Sequence, residues 1–356
     1  MTKRLRGVNL GGWFSQIDAI QGNNPDHFSG EEAHLESFLG LEDFQRIAAW
    51  GFDHVRLPVD YFNVFDAEEL TPRARRLEQL DRAIAELNQA GLDVMFDLHK
   101  CPGHDFHAGG HGPQRFFVDA ATRERAKRVW AMLAERYGEN PRVLLEILNE
   151  PVAEDSADWD RVKTEMAKHI RRYAPRSTLV VGTNRWSHPA EFPKLTPLED
   201  DNVLYNFHFY SSLLFTHQHA PWLAGDVFQV SRPYPGNYTI PPDTIDRHPL
   251  DPGPWDKQRM EKELGDVFAF RERYGVPVIC NEFGVFVGGA ERGSQLRWME
   301  DFLALLEAHR IGFSYWNYKN LDFGLISVDE PRFLDHPQYQ NPERLDSELV
   351  AVLRRH

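Results

Sequence analysis

The chain has 356 residues, 42% of them hydrophobic and 12% aromatic, which is enough to bury a large core and excludes a disordered or fibrous chain. A formal charge of -14 argues against a nucleic-acid partner and suits a neutral ligand, and no run of 18 apolar residues offers a membrane span. Two cysteines, Cys101 and Cys280, make no disulfide framework and are expected as free thiols. The opening Met1-Thr2-Lys3-Arg4-Leu5-Arg6 lacks the apolar stretch of a secretory signal, so the chain is expected to be cytoplasmic, or secreted with its leader removed.

In chain order, a β-rich run at 5–10 is followed by a long connection, 13–40. A second strand at 54–59 precedes a helix opened by Thr71-Pro72, carried by Leu77, Leu80, Ile84 and Leu87, and stopped at Gly91. A third strand at 92–99 runs into a long segment, 101–121, and then a helix from Thr122 that aligns Ala126, Val129, Trp130, Leu133 and Tyr137. After a fourth strand at 144–149 the same spacing recurs at Trp159, Val162, Met166, Ile170 and Tyr173. Strands at 178–182 and 203–210 lead to the longest connection, 211–255; a seventh strand at 276–282, a helix through Leu296, Met299, Phe302, Leu303 and Leu306, and an eighth strand at 312–316 complete the order. Eight strands with intervening helices predict a single (β/α)8 TIM-barrel domain over residues 1–356, with long βα loops after strands 1, 3 and 6. A doubly wound open sheet is the alternative, but no glycine-rich nucleotide loop follows the first strand.

Residues two apart share a strand face. That rule aligns Met95, Asp97 and His99; Glu146, Leu148 and Glu150; Asn206, His208 and Tyr210; Val278, Cys280 and Glu282; and Ser314 and Trp316, with Arg56 near the end of the second strand. Six strands therefore finish on a polar or aromatic group at one rim, where barrel active sites form. Asp97 and Glu146, one layer deeper, are expected as buried partners for Arg or His. Two carboxylates facing across a barrel mouth with no metal set point to glycosidic bond cleavage and leave its stereochemistry open.

Leu148-Asn149-Glu150-Pro151 and Cys280-Asn281-Glu282-Phe283-Gly284 resemble the fourth- and seventh-strand motifs of glycoside hydrolase family 5, a retaining family. The resemblance extends through 6–13, Val55-Arg56-Leu57-Pro58, Asp97-Leu98-His99, Phe207-His208-Phe209-Tyr210 and Tyr315-Trp316. It implies Glu150 as general acid/base and Glu282 as nucleophile, Arg56 and Tyr210 orienting Glu282, and His208 near Glu150. It further implies Asn149 on the sugar 2-hydroxyl, His99 on another hydroxyl of that ring, and Trp316 as the floor beneath it. Adjacent strand residues point to opposite faces, so Asn149 reaches the site only where the strand breaks or bulges. No cofactor is implied. The implied partner is a β-linked glucan or related oligosaccharide, by endo-β-1,4-glucanase action, with exo-β-1,3-glucanase or β-mannanase action as alternatives.

Three further features have competing explanations. The loop aromatics Trp222, Phe228, Tyr234, Tyr238 and Trp255 either pack the loop onto the barrel or offer platforms to sugar faces. His104, His107 and His111, with His99 near, suggest a metal, but their spacing is irregular, Gly103, Gly109, Gly110 and Gly112 interrupt them, and no metal is expected. A non-enzymatic sugar-binding barrel is the reading from another class; it would typically lack one of the two carboxylates.

Overall fold

The computed structural model describes residues 4–25, 28–108, 114–244, 246, 249–328, 330–333 and 335–356. Eight strands, β1 (Arg6–Asn9), β2 (His54–Asp60), β3 (Asp93–Lys100), β4 (Val143–Glu146), β5 (Leu179–Gly182), β6 (Val203–Phe209), β7 (Val278–Phe283) and β8 (Gly312–Tyr315), close into a barrel. All are parallel, and each lies beside its neighbours in chain order. This is the TIM-barrel topology that the alternation predicts.

The helices Ala74–Gln89, Ala120–Tyr137, Ser156–Ile170 and Arg292–Ala308 turn the expected apolar rows toward the sheet; Leu77, Leu80, Ile84 and Leu87 are all buried. Their starts differ from the sequence expectation. The helix expected at Thr71-Pro72 begins at Ala74, and the one expected at Thr122 begins at Ala120 because the Asp119 carboxylate accepts the amides of Ala121 and Thr122. Asp155 and Glu291 cap two others in the same way, each cap contributing about 1 kcal/mol. Tyr173 lies past the helix end at Ile170 and is 39% exposed, not on the buried face.

Inside the barrel, Met95, Val180, Leu204 and Ile279 form a small apolar stratum near the N-terminal ends of the strands, with Leu5 and Leu144 packed against it. The larger core lies outside this, between sheet and helices. Strand alternation places β3, β6 and β8 as expected but fails on β4 and β7, and both failures have a local cause. β4 stops at Glu146 rather than 149; Leu148 joins the outer core, and Glu150 takes a left-handed φ of 41°. In β7, Val278 and Cys280 also join the outer core while Ile279 faces inward. Pairing with β6 then slips, so that Phe207 meets Cys280 but His208 meets Glu282, with Asn281 as the extra residue of a bulge. Glu282 therefore faces inward although Cys280 does not.

The three long connections all leave the C-terminal ends of strands. The first carries Ile17–Asn23 and Glu31–Ser37, the second the short turns Phe106–Ala108 and Arg115–Val118, and the third an antiparallel hairpin of Gly236–Tyr238 with Gly253–Trp255. Phe228, Tyr234, Tyr238 and Trp255 are each at most 2% exposed, so these four rings pack the third loop; Trp222, at 45%, is the one left open to solvent. Among the described residues no helix is long and apolar enough to cross a membrane.

Candidate active site

Arg56, fully buried on β2, organises the polar stratum above the apolar one. Its Nε and Nη2 donate to the two oxygens of Glu146 at 2.7 and 2.9 Å, and Nη2 also reaches Asp97 Oδ2 at 2.9 Å and Asn149 Oδ1 at 2.8 Å. Nη1 donates to Asn9 Oδ1 at 3.1 Å and to Glu282 Oε1 at 2.5 Å. Burial alone would lower the arginine pKa, but Asp97, Glu146 and Glu282 raise it well above its ordinary value, so the cation is permanent. Glu146 accepts two more bonds, from Asn206 Nδ2 and Asn281 Nδ2, both at 2.9 Å. Asp97 and Glu146 are thus the buried partners expected of them. Their burial still pushes both up to about 7 against the pull of Arg56.

Glu150 and Glu282 meet above this layer. One carboxylate oxygen of each and a ring nitrogen of His208 all lie within 4.8 Å of one another. The two acids have unequal surroundings. Glu282 is held on one oxygen by Arg56 and on the other by Tyr210 Oη, which donates at 3.1 Å. Glu150 has His208 Nδ1 at 2.9 Å from its Oε1. Burial raises both acids; Glu282, with Arg56 opposing, reaches about 7, while Glu150 is pushed well above the carboxylate range by burial and by the Glu282 charge. Burial and the neighbouring Glu282 charge thus favour the protonated form of Glu150.

His99 Nδ1 lies 2.7 Å from Asp97 Oδ2, and its buried Nε2 has no partner among the described residues. Asn149 is in the same state: Oδ1 is taken by Arg56 and the buried Nδ2 is unpartnered. Buried polar atoms are normally satisfied, so these two are suited to a ligand rich in hydroxyls. The Trp316 ring lies parallel to His99, 4° between planes and 5.9 Å between centroids. Glycine at position 11 makes room for it, since a Cβ there would come 2.5 Å from the Trp316 ring.

Residues 22–322 match the description of the cellulases, glycosyl hydrolase family 5. The chain belongs to that family. It is 33% identical to Endoglucanase C of Acetivibrio thermocellus over 98% of this chain and 97% of that one. It is 30% identical to Cellodextrinase A of Ruminococcus flavefaciens over 86% and 83%. Among solved structures, endoglucanase Cel5A of Thermotoga maritima superposes with a TM-score of 0.74 at 22% identity, covering 98% of this chain and 96% of that one. As a family 5 enzyme, the protein is a glycoside hydrolase of the retaining, double-displacement type.

The barrel mouth brings together all eight residues singled out from the sequence: Arg56, His99, Asn149, Glu150, His208, Tyr210, Glu282 and Trp316. Three supporting residues have no role assigned from the sequence. Asn9, on β1, fixes Arg56 while its Nδ2 donates to the carbonyls of Asn281, Ser314 and Tyr315 at 2.9 to 3.2 Å. Asn206 and Asn281 complete Glu146. Asn206 was legible from alternation; Asn281 was not, because only the bulge turns it inward. In the histidine-rich loop, His104 Nε2 bonds the Glu150 carbonyl, His107 lies beside Asp105 at 3.6 Å, and His111 falls outside the described residues.

Proposed function

We propose that this family 5 hydrolase is an endo-β-1,4-glucanase in which Glu150 is the general acid/base and Glu282 the nucleophile. The observation that carries the assignment is the close approach of two unequally held carboxyls. One oxygen of each acid lies within 4.8 Å of the other, which favours the close spacing of retaining pairs (roughly 5 to 5.5 Å) over the wider one of inverting pairs (roughly 6.5 to 9.5 Å). Glu282, bonded on both oxygens by Arg56 and Tyr210, is oriented, and the Arg56 charge favours its anion. Glu150, buried and facing the Glu282 charge, is the one of the two in which the protonated form is favoured.

In the first step Glu282 attacks the anomeric carbon while Glu150 protonates the departing glycosidic oxygen, leaving a glycosyl ester on Glu282 and a carboxylate on Glu150. In the second, Glu150 takes a proton from water, the resulting hydroxide adds to the same carbon, and Glu282 departs as carboxylate. The Asn149 Nδ2 and His99 Nε2 atoms bond ring hydroxyls, and Trp316 supplies the apolar floor.

Endo action on β-1,4-glucan is supported by full-length similarity to a protein named an endoglucanase. Product analysis on β-1,4-glucan, β-1,3-glucan and β-mannan tests it. The expected result is mixed cello-oligosaccharides with an early fall in viscosity on β-1,4-glucan alone. Release of monosaccharide from one end, or faster cleavage of either other polymer, overturns it.

A further inference from the structure

The mechanism above makes no use of His104, yet this ring touches the catalytic turn directly. Its Nε2 lies 3.1 Å from the backbone carbonyl of Glu150. The residue is 3% exposed, its amide closes a turn on the Cys101 carbonyl at 3.0 Å, and its ring stands edge-on to Phe117 with centroids 5.7 Å apart. Burial brings its pKa down to about 4, so the ring is neutral over the working range, and donation to a carbonyl requires the Nε2–H tautomer.

Glu150 needs such support. Its φ of 41° lies in the left-handed region that L-residues avoid, and this turn sends its side chain into the mouth beside that of Asn149. The chain on either side is tied down: Asn149 N donates to Leu98 O at 3.2 Å, and Trp186 N to Pro151 O at 3.1 Å. His104 supplies the bond at Glu150 itself.

We propose that His104 is a positioning residue for Glu150: its Nε2–H pins the Glu150 carbonyl and thereby the left-handed turn that aims the carboxyl at the leaving oxygen. This rests on Glu150 being the acid/base. A misplaced acid impairs departure of a poor leaving group and spares a good one, which loss of packing does not do.

The test compares kcat/KM on cellotetraose and on a dinitrophenyl β-cellobioside. His104→Phe, which keeps a ring between Phe116 and Phe117 but has no donor, should lose about 10- to 100-fold on cellotetraose and less than about threefold on the aryl glycoside. His104→Gln, whose amide can take the Nε2 position, should recover most of the loss. If the phenylalanine variant does not fold, His104→Asn replaces it, because its amide mimics Nδ1 and points away from the carbonyl. Equal losses on both substrates, or none, in a folded donor-less variant overturn the proposal. Glu150→Ala run alongside separates the two claims: if it too shows no dependence on the leaving group, the acid/base assignment itself has failed.

Discussion

The barrel interior is built in two strata under opposite rules. Near the N-terminal ends of the strands, Met95, Val180, Leu204 and Ile279 meet as apolar side chains, governed chiefly by volume, with the Met95 sulfur accepting from Asn281 Nδ2 at 3.7 Å. A few residues higher, Asp97, Glu146 and Glu282 are drawn around one guanidinium, with amides from Asn206 and Asn281 taking up further lone pairs. The lower stratum stabilises; the upper one spends stability on geometry, since buried charges seldom repay their desolvation. Asn149 Nδ2 and His99 Nε2, unsatisfied among the described residues, belong to the upper stratum.

The largest effect expected is in the upper stratum. Glu282→Ala should lower kcat/KM on the order of 10⁴-fold or more on both glucan and aryl glycoside, with a melting temperature no lower than the parent's. Glu150→Ala should cost about 10²- to 10⁴-fold on glucan and far less on the aryl glycoside. Urea denaturation that showed either variant to be strongly destabilised would erase the distinction between strata. Arg56→Lys should damage both properties: a point charge cannot hold three carboxylates, and a loss of about 3–5 kcal/mol should accompany the loss of turnover. Ile279→Ala is the counterpart below, with about 2–5 kcal/mol lost in the same denaturation experiment and kcat within about twofold of the parent. A collapse of kcat in that variant would mean that the strata are mechanically coupled.

The pH profile sharpens the same comparison. With Glu282 as the proposed nucleophile, kcat/KM should rise as Glu282 loses its proton; with Glu150 as the proposed acid, it should fall again as Glu150 loses its own. Because burial raises Glu282 to about 7, the acid limb should be displaced above the ordinary carboxylate range. A limb near the free carboxylate value would show that Arg56 dominates burial. The smallest effect belongs to Trp222→Ala, which should raise KM for long glucans by about two- to tenfold and leave kcat on the aryl glycoside unchanged.

Much of this was legible in the residues alone. Period-two alternation on β3, β6 and β8 placed His99, His208, Tyr210 and Trp316 correctly, and helical spacing found the four large outer helices. What escaped was whatever depends on broken alternation. Cys280 and Leu148 were expected inside and lie outside, because a bulge in one strand and a left-handed residue after another reset the faces. The aromatic loop was undecidable from composition, since a ring that packs a loop and a ring that meets a sugar are the same residue; burial separates Trp222 from Tyr234, Tyr238 and Trp255.

The two interruptions also explain why this site can be read as text. Regular strands scatter inward-facing residues across every second position, so an enclosure built only from them leaves no contiguous word in the chain. Here Asn149-Glu150 and Asn281-Glu282 each send two consecutive side chains to the same place. Grafting either dipeptide onto an uninterrupted strand would deliver one member to the mouth and the other to the helices, so each pair is transferable only with its kink.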